Sequence, residues 1–467
     1  MSGPDHTVPA AAAPPDPRRW RILALLGIAQ LMLIVDVTVV AIALPQMGAD
    51  LGLDRAGLTW VAGLYALVFG GLMLLGGKTA DVIGPRRVVL AGLGLFTAAS
   101  LLAGLAGSAE LLLAARGLQG VGAAAMSPAA LSVVARTFAG AELSRAIGVW
   151  SGLGGAGAAL GVLMGGVLTS GPGWPWAFYV NVPVGAVLLL TLSAVLRPLP
   201  GARGRVDVVG AAVVTVSTGS VVYALVAAGD HGWLGAPTLI GITAGLAGYA
   251  LFAWRIRTAA DPLIEPGMLR RRPVARGLGL IFVATALMIS VFFLGSFTLQ
   301  QLHGFSPLET GLTFLPVATL TVLGSNLAGG VLPSWGVRVV AAVGLLLAAA
   351  GLAAAAAVFS MTVLVLALTL AGFGVGAVFV AAAGSMFSAV RPLEAGIAAG
   401  ALSTLHEFGA ATGVAAVSSV AAAALIAPGF TAFAAGYWFA AAVALLAALA
   451  TLARARSRID VPESPRA

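Results

Sequence analysis

Residues 22–45 read ILALLGIAQLMLIVDVTVVAIALP, a run of 24 residues with a single charge, Asp36. A helix rises 1.5 Å per residue, so about 20 apolar residues cross a hydrocarbon core about 30 Å thick. Comparable runs recur at about 58–77, 88–107, 111–134, 146–169, 176–196, 208–228, 236–254, 277–299, 311–332, 337–357, 362–383, 395–427 and 431–453. Across 467 residues the chain is 60% hydrophobic and 9% charged, where a soluble domain carries about 25% charged residues. A transmembrane barrel would alternate apolar and polar residues, whereas these runs are apolar all round. Lipid leaves the backbone no partner but itself. The sequence therefore predicts an all-α, polytopic membrane protein of about 14 transmembrane helices. Its 62 glycines fit close helix packing in lipid.

With the N-terminus placed in the cytoplasm, 23 of the 25 Lys and Arg fall in inner segments. Only Arg55 lies outside, and Arg116 lies within a span. This sorting follows the positive-inside rule and places both termini on the cytoplasmic side of the cell membrane. The net charge of +8 is then a topology signal and implies no nucleic-acid partner. Ala41-Ile42-Ala43 resembles a cleavage site, but the run before it is too long for a signal peptide. The chain has no Cys, which excludes disulfides, thiol catalysis and thiolate metal sites.

Two longer cytoplasmic loops, about 197–207 and 255–276, bracket the seventh and eighth spans and divide the chain 6 + 2 + 6. The expected units are a disordered tail (1–20), a six-helix bundle (21–197), two extra helices with their loops (198–276), a second six-helix bundle (277–455) and a tail (456–467). A weak repeat supports the division. At an offset of 252, Gly77, Gly84, Arg86, Val88 and Gly92 match Gly329, Gly336, Arg338, Val340 and Gly344. Parallel six-helix repeats are a transporter signature, with the substrate site between the halves.

Four stretches, in order and on the matching spans, carry a family resemblance. Asp36-Val37-Thr38-Val39-Val40 through Ala43-Leu44-Pro45 opens the series. Gly77 through Asp81, Gly84, Arg86 and Arg87 resembles G-x-L-a-D-r-x-G-r-r. Arg116-Gly117-Leu118-Gln119-Gly120-Val121-Gly122-Ala123 resembles R-x-x-Q-G-x-G-A. Trp174-Pro175-Trp176 through Asn181-Val182-Pro183 resembles the segment that opens the sixth span. Over residues 20–455 the chain resembles the major facilitator superfamily, and within it the fourteen-span drug:proton antiporters. The resemblance implies two bundles alternating access around a midplane cavity, and a loop at Gly77, Asp81, Gly84, Arg86 and Arg87 that latches the halves together. In the fifth span Gly157, Gly161, Gly165 and Gly166 resemble the antiporter motif G-x-x-x-G-P-x-x-G-G, a helix-packing stripe. Its Pro, associated with export, is Val162 here. The second-half copy of the loop has Pro333 in place of the acid.

Three charges lie well inside spans: Asp36, Arg116 and Glu407. Each costs about 2.5–3.5 kcal/mol on insertion scales, so each is a functional candidate. Asp36 lies roughly 21 Å from the inner face and Arg116 roughly 22 Å, which predicts that the two interact. A proton on Asp36 would weaken that attraction. Glu407, roughly 18 Å deep, is a second candidate for proton coupling or for a cationic substrate, and a bond to His406 or to a neighbouring helix is the structural alternative. Gln119 shares a helix face with Arg116 and, with Thr404 and His406, is a candidate cavity residue. Phe292, Phe293 and Phe297 read as core or lipid-facing residues before cavity residues.

Gly76-Gly77-Lys78-Thr79 is no phosphate loop: Leu72 stands where the first Gly is required. Gly152 to Gly157 matches G-x-G-x-x-G but lies in an apolar run. Four scattered His offer no metal site, and no catalytic constellation or ATP-binding motif is present. The sequence predicts no enzyme, cofactor or metal, but a monomeric secondary transporter exporting hydrophobic or amphipathic small molecules in exchange for protons. A proton-coupled importer or a uniporter is the alternative on the same fold. A membrane-embedded enzyme or receptor is the alternative of another class.

Overall fold

The computed structural model describes residues 17–138, 140–201, 206–259, 261–391, 394–422 and 429–453. Most of the expected first tail, all of the expected last one and part of the 395–427 stretch lie outside them. Every expected span falls on a helix, and no strand occurs among the described residues. The first bundle comprises α1 (Arg19–Leu51), α2 (Arg55–Ile83), α3 (Pro85–Gly104), α4 (Ala109–Thr137), α5 (Gly140–Ser170), α6 (Trp176–Tyr179) and α7 (Asn181–Val195). The sixth span runs through α6 and α7, with Val180 between them in helical conformation at φ −59° and ψ −30°. A hairpin follows, α8 (Val208–His231) and α9 (Ala236–Thr258), then the short α10 (Pro266–Leu269). The second bundle comprises α11 (Arg272–Phe297) with a π turn at Thr298–Leu302, α12 (Pro307–Ala357), α13 (Met361–Phe387), α14 (Ala395–Val420) and α15 (Phe430–Ala453). Eleven of the described helices are long and apolar enough to cross a membrane, and the 51-residue α12 holds two expected spans.

Local chemistry sets the ends of these helices. Asp54, Ser108 and Asp207 accept bonds from the amides of Gly57, Leu111 and Gly210. Ser306 and Glu309 form a reciprocal capping box at α12. Each satisfies amides that have no partner within the helix. Gly84 ends α2 at φ +99° and Gly336 breaks α12 at φ +74°, backbone that disfavours any side chain. These two glycines are partners in the sequence repeat.

The rest of the repeat is physical as well. Gly92 lies against the Gly122 carbonyl, where a Cβ would come within 2.7 Å. Gly344 lies against the Gly374 carbonyl, where it would come within 2.6 Å. Gly122 and Gly374 are again 252 residues apart. The same backbone-to-backbone approach therefore joins α3 to α4 and the second limb of α12 to α13.

The bundles meet along two seams, α2 on α14 and α5 on α12. Helix α8 packs on both α2 and α14, and α9 packs on α8. The end that carries most arginines is called the basic end here, and the opposite one the far end. A single apolar core joins the far half of the first bundle, at Val39 and Val61, to the second bundle, at Phe293 and Leu368. Toward the basic end the first bundle has its own core around Leu26, Val89 and Val133. Inter-bundle hydrogen bonds sit at the far end: Gln300 Nε2 donates to the Ile42 carbonyl at 2.9 Å, and the Leu308 amide to Ser170 Oγ at 2.9 Å.

Candidate functional site

Helices α1, α3 and α7 each bring one polar residue, and α4 brings two, to one buried point. The Arg116 guanidinium donates to Asp36 Oδ2. Asp36 Oδ1 accepts from Gln119 Nε2 at 3.0 Å and from Asn181 Nδ2 at 3.1 Å. Gln119 also donates to Ser100 Oγ at 2.9 Å and accepts from Arg116 at 3.0 Å. Arg116 Nε reaches the Val61 carbonyl at 3.2 Å, and its plane lies 4.5 Å from the Tyr65 ring centroid. Asp36, Ser100, Arg116, Gln119 and Asn181 are all nearly inaccessible to solvent. Both Asp36 oxygens are occupied, and the cation has an acid, a carbonyl and an aromatic face. A buried ion pair becomes tolerable through such auxiliary bonds.

The structure brings together Asp36, Arg116 and Gln119, the pairing expected from their equal depth. Asn181 and Ser100 join them without having been singled out as members. Asn181 was visible as part of the sixth-span motif, and at the start of α7 it is buried against Asp36. Ser100 carried no signal beyond being polar within an apolar run. The Tyr65 hydroxyl is buried and finds no partner among the described residues.

Glu407 lies elsewhere, on α14 at the α2 seam. It is half-buried, and no bond from the described residues reaches its carboxylate. A Cβ on Gly70 of α2 would come within 2.6 Å of the Glu407 Cβ, so the bare glycine makes room for this acid. The alternative in which Glu407 bonds His406 is corrected: His406 Nδ1 bonds Thr285 Oγ1 at 2.9 Å, and its ring lies 5.7 Å from that of Phe379. Thr404 is buried with its hydroxyl unpartnered among the described residues. Phe292 packs on Phe314 and Phe293 on Phe297, each pair at 5.0 Å, and all four rings are core.

The loop after α2 binds its own bundle. Asp81 pairs with Arg136 of α4 at 3.2 Å, not with Arg86 or Arg87. Arg86 donates to the Ser193 and Leu196 carbonyls at 2.8 Å each, where a cation suits the C-terminal end of α7. Arg87 is exposed. At Gly84 a Cβ would approach the Leu199 carbonyl to 2.5 Å, whereas Gly77 has ordinary space beside Pro128. In this structure, then, the loop ties α2, α3, α4 and α7 to one another rather than bundle to bundle.

Gly157, Gly161 and Gly165 of α5 face Ile34, Thr38 and Ile42 of α1, while Gly166 faces Pro307 and Leu308 of α12. A Cβ on Gly161 would overlap Thr38 Oγ1. Gly161→Leu is therefore expected to lose the folded protein outright. Size-exclusion chromatography of detergent extracts would check this, and a normal monodisperse peak would refute the close packing. Val162 sends its carbonyl toward Gly311 of α12, to 2.6 Å of a Cβ placed there.

At the basic end Arg271 holds Glu394 at 2.6 and 2.8 Å, and Arg391 also donates to it. The Arg271 guanidinium, then that of Arg391, keeps this carboxyl well below the usual carboxylate range. A depressed folded pKa gives stability that is present above the unfolded value and lost only as pH falls through the depressed one. This cluster thus adds no pH dependence near neutrality.

Two bundles, a repeat at 252 and a buried acid–arginine pair frame the comparison with known proteins. Residues 26–414 match the Major Facilitator Superfamily. The chain belongs to that family. It is 37% identical to the puromycin resistance protein pur8 of Streptomyces alboniger, over 88% of this chain and 83% of that one. It is 34% identical to the cephamycin export protein CmcT of Amycolatopsis lactamdurans, over 85% and 84%. It is 32% identical to a tetracenomycin C resistance and export protein of Streptomyces glaucescens, over 85% and 75%. Among solved structures, an auto-inhibited POT family peptide transporter shares the fold at a TM-score of 0.65 and 18% identity, over 96% of this chain and 99% of that one. A member of the superfamily with this architecture is a multi-pass membrane transporter of small molecules and not an enzyme.

Proposed function

We propose that the protein exports hydrophobic or amphipathic small molecules, antibiotics among them, in exchange for protons, as a fourteen-span member of the family. The observation that carries this is the buried Asp36 carboxylate with its Arg116, Gln119 and Asn181 partners. Nothing but proton binding switches the charge of a sealed carboxylate, and its neutral form gives up the attraction to Arg116. The guanidinium keeps the Val61 carbonyl and the Tyr65 face when that happens. Four helices of the first bundle meet at this point, so protonation is felt as a change in their packing. The printed functions of the relatives, resistance and export, support the outward direction, and Arg-rich inner segments support cytoplasmic termini in the cell membrane.

The test is an everted-vesicle assay. A proton gradient is reported by a pH-sensitive dye, and antibiotics and lipophilic cations are added in turn. Dissipation by some compounds is expected. A compound that moves only when the gradient is reversed would instead favour import, the reading that Val162 keeps alive. Asp81→Ala is expected to slow transport several-fold while binding persists. Its pair with Arg136 is largely exposed, with Asp81 59% accessible, and is worth only about 0.2–1 kcal/mol of stability. Thermal melting beside the flux assay separates the two effects.

A further inference from the structure

We propose that Arg55 is the far-end gate of the transport cycle, and that helix α8 of the hairpin is the working half of that gate. Arg55 breaks two local rules at once. It is the one arginine on the far side of the membrane under the positive-inside assignment, and it is the first residue of α2, at the positive end of that helix dipole. Asp230 breaks the matching rule, since it is an anion in the last turn of α8. Each charge is badly placed on its own helix, and each compensates the other: Arg55 pairs with Asp230 at 2.7 Å. Paired violations of local preference mark functional devices.

The same guanidinium holds three elements. It donates to the Val226 carbonyl of α8 at 2.5 Å and to Ser418 Oγ of α14 at 3.3 Å. Ser418 in turn bonds Thr59 Oγ1 of α2 at 2.5 Å. The Arg55 side chain is 2% accessible, and Gly229 of α8 leaves it room, since a Cβ there would come within 2.6 Å of its Cζ. First bundle, hairpin and second bundle are therefore bolted through one buried cation. Toward the basic end α8 is attached differently. Ala211 shares an apolar cluster with Val274, Met386 and Ala398 of the second bundle. Helix α8 thus straddles the α2–α14 seam, polar and bolted at the far end, apolar at the basic end. Opening the far end requires Ser418 and the α8 partners of Arg55 to part company, whereas opening the basic end does not touch them.

This rests on the reading that the protein alternates access, and the experiment keeps the two apart. The chain has no cysteine, so spin labels go only where they are placed. Exposed Gly107 and Ala357 report the far-end distance between bundles, and exposed Ala135 and Ser388 the basic-end distance. Each pair is replaced by Cys in full-length protein in lipid nanodiscs, and distances are read by pulsed electron–electron resonance. Wild-type protein that populates two distances at each end, in opposite proportion, establishes alternating access whatever Arg55 does. Ser418→Ala and Asp230→Asn should then lengthen the far-end distance and shorten the basic-end one. The ratio of states should move roughly three- to tenfold, the size of one lost hydrogen bond. Arg55→Ala should move it further. Distributions that stay put in folded Ser418→Ala and Asp230→Asn protein would overturn the gate. Broadening at both ends without anticorrelation would reduce Arg55 to a structural pin and overturn it equally.

Discussion

Asp36→Asn should abolish proton-driven transport, by on the order of 100-fold, the equivalent of about 3 kcal/mol of lost coupling. The amide has nearly the shape of the acid and keeps an oxygen for Gln119 and Asn181, so the four helices retain their reason to meet. What it loses is the charge opposite Arg116 and the capacity to take up a proton. Arg116→Ala should cost as much by the opposite route, since it strands a carboxylate held only by Gln119 and Asn181. Removing one partner of a buried pair costs about 3–5 kcal/mol, so both single variants should also melt earlier. The decisive number is the double variant. If the two residues act as one unit, Asp36→Asn with Arg116→Ala should lose far less than the sum of the single losses, in melting and in gradient-driven flux. Additive losses would mean that the two residues act independently and that their pairing carries no coupling.

That pair was readable from the sequence because membrane geometry converts residue number into depth. Asp36 lies 14 residues into one span and Arg116 five residues into another of opposite direction, and the other acid inside a span, Glu407, was read as shallower. The fold was readable for the same reason, because each crossing must be written as one apolar run. What could not be read was the azimuth. Apolar runs without a polar side do not declare which face meets which helix, so Ser100 and Asn181 could not be assigned to the network. Nor could His406 be separated from Glu407, although one helical position decides that His406 faces Thr285 while Glu407 faces Gly70. Arg55 was legible only as an exception to the charge rule. Its partner Asp230 lies 175 residues away, and no pattern links them until α8 is seen against α2. The loop at Asp81 shows the opposite limit. A motif names the residues but not the conformational state, and in this structure they bind within one bundle.

Glu407→Gln should divide substrates by charge. The carboxylate stands on α14 where the bundles meet, without a partner among the described residues, and Gly70 clears the space before it. An anion left unpaired at such depth is costly, and a cationic substrate or a proton is what could settle it. Gln preserves volume and hydrogen bonding and removes only the charge. If Glu407 receives the positive end of a substrate, flux of lipophilic cations should fall about tenfold, roughly 1.4 kcal/mol, while neutral compounds move as before. If it carries a proton instead, cations and neutral compounds should fall together, and fewer protons should enter per molecule exported. The two outcomes separate in one experiment, with substrate efflux and dye-reported proton entry measured in the same vesicles across pH 6 to 8. Flux and stoichiometry unchanged at every pH would remove Glu407 from the mechanism and leave the Asp36 network as the sole site of coupling in the membrane.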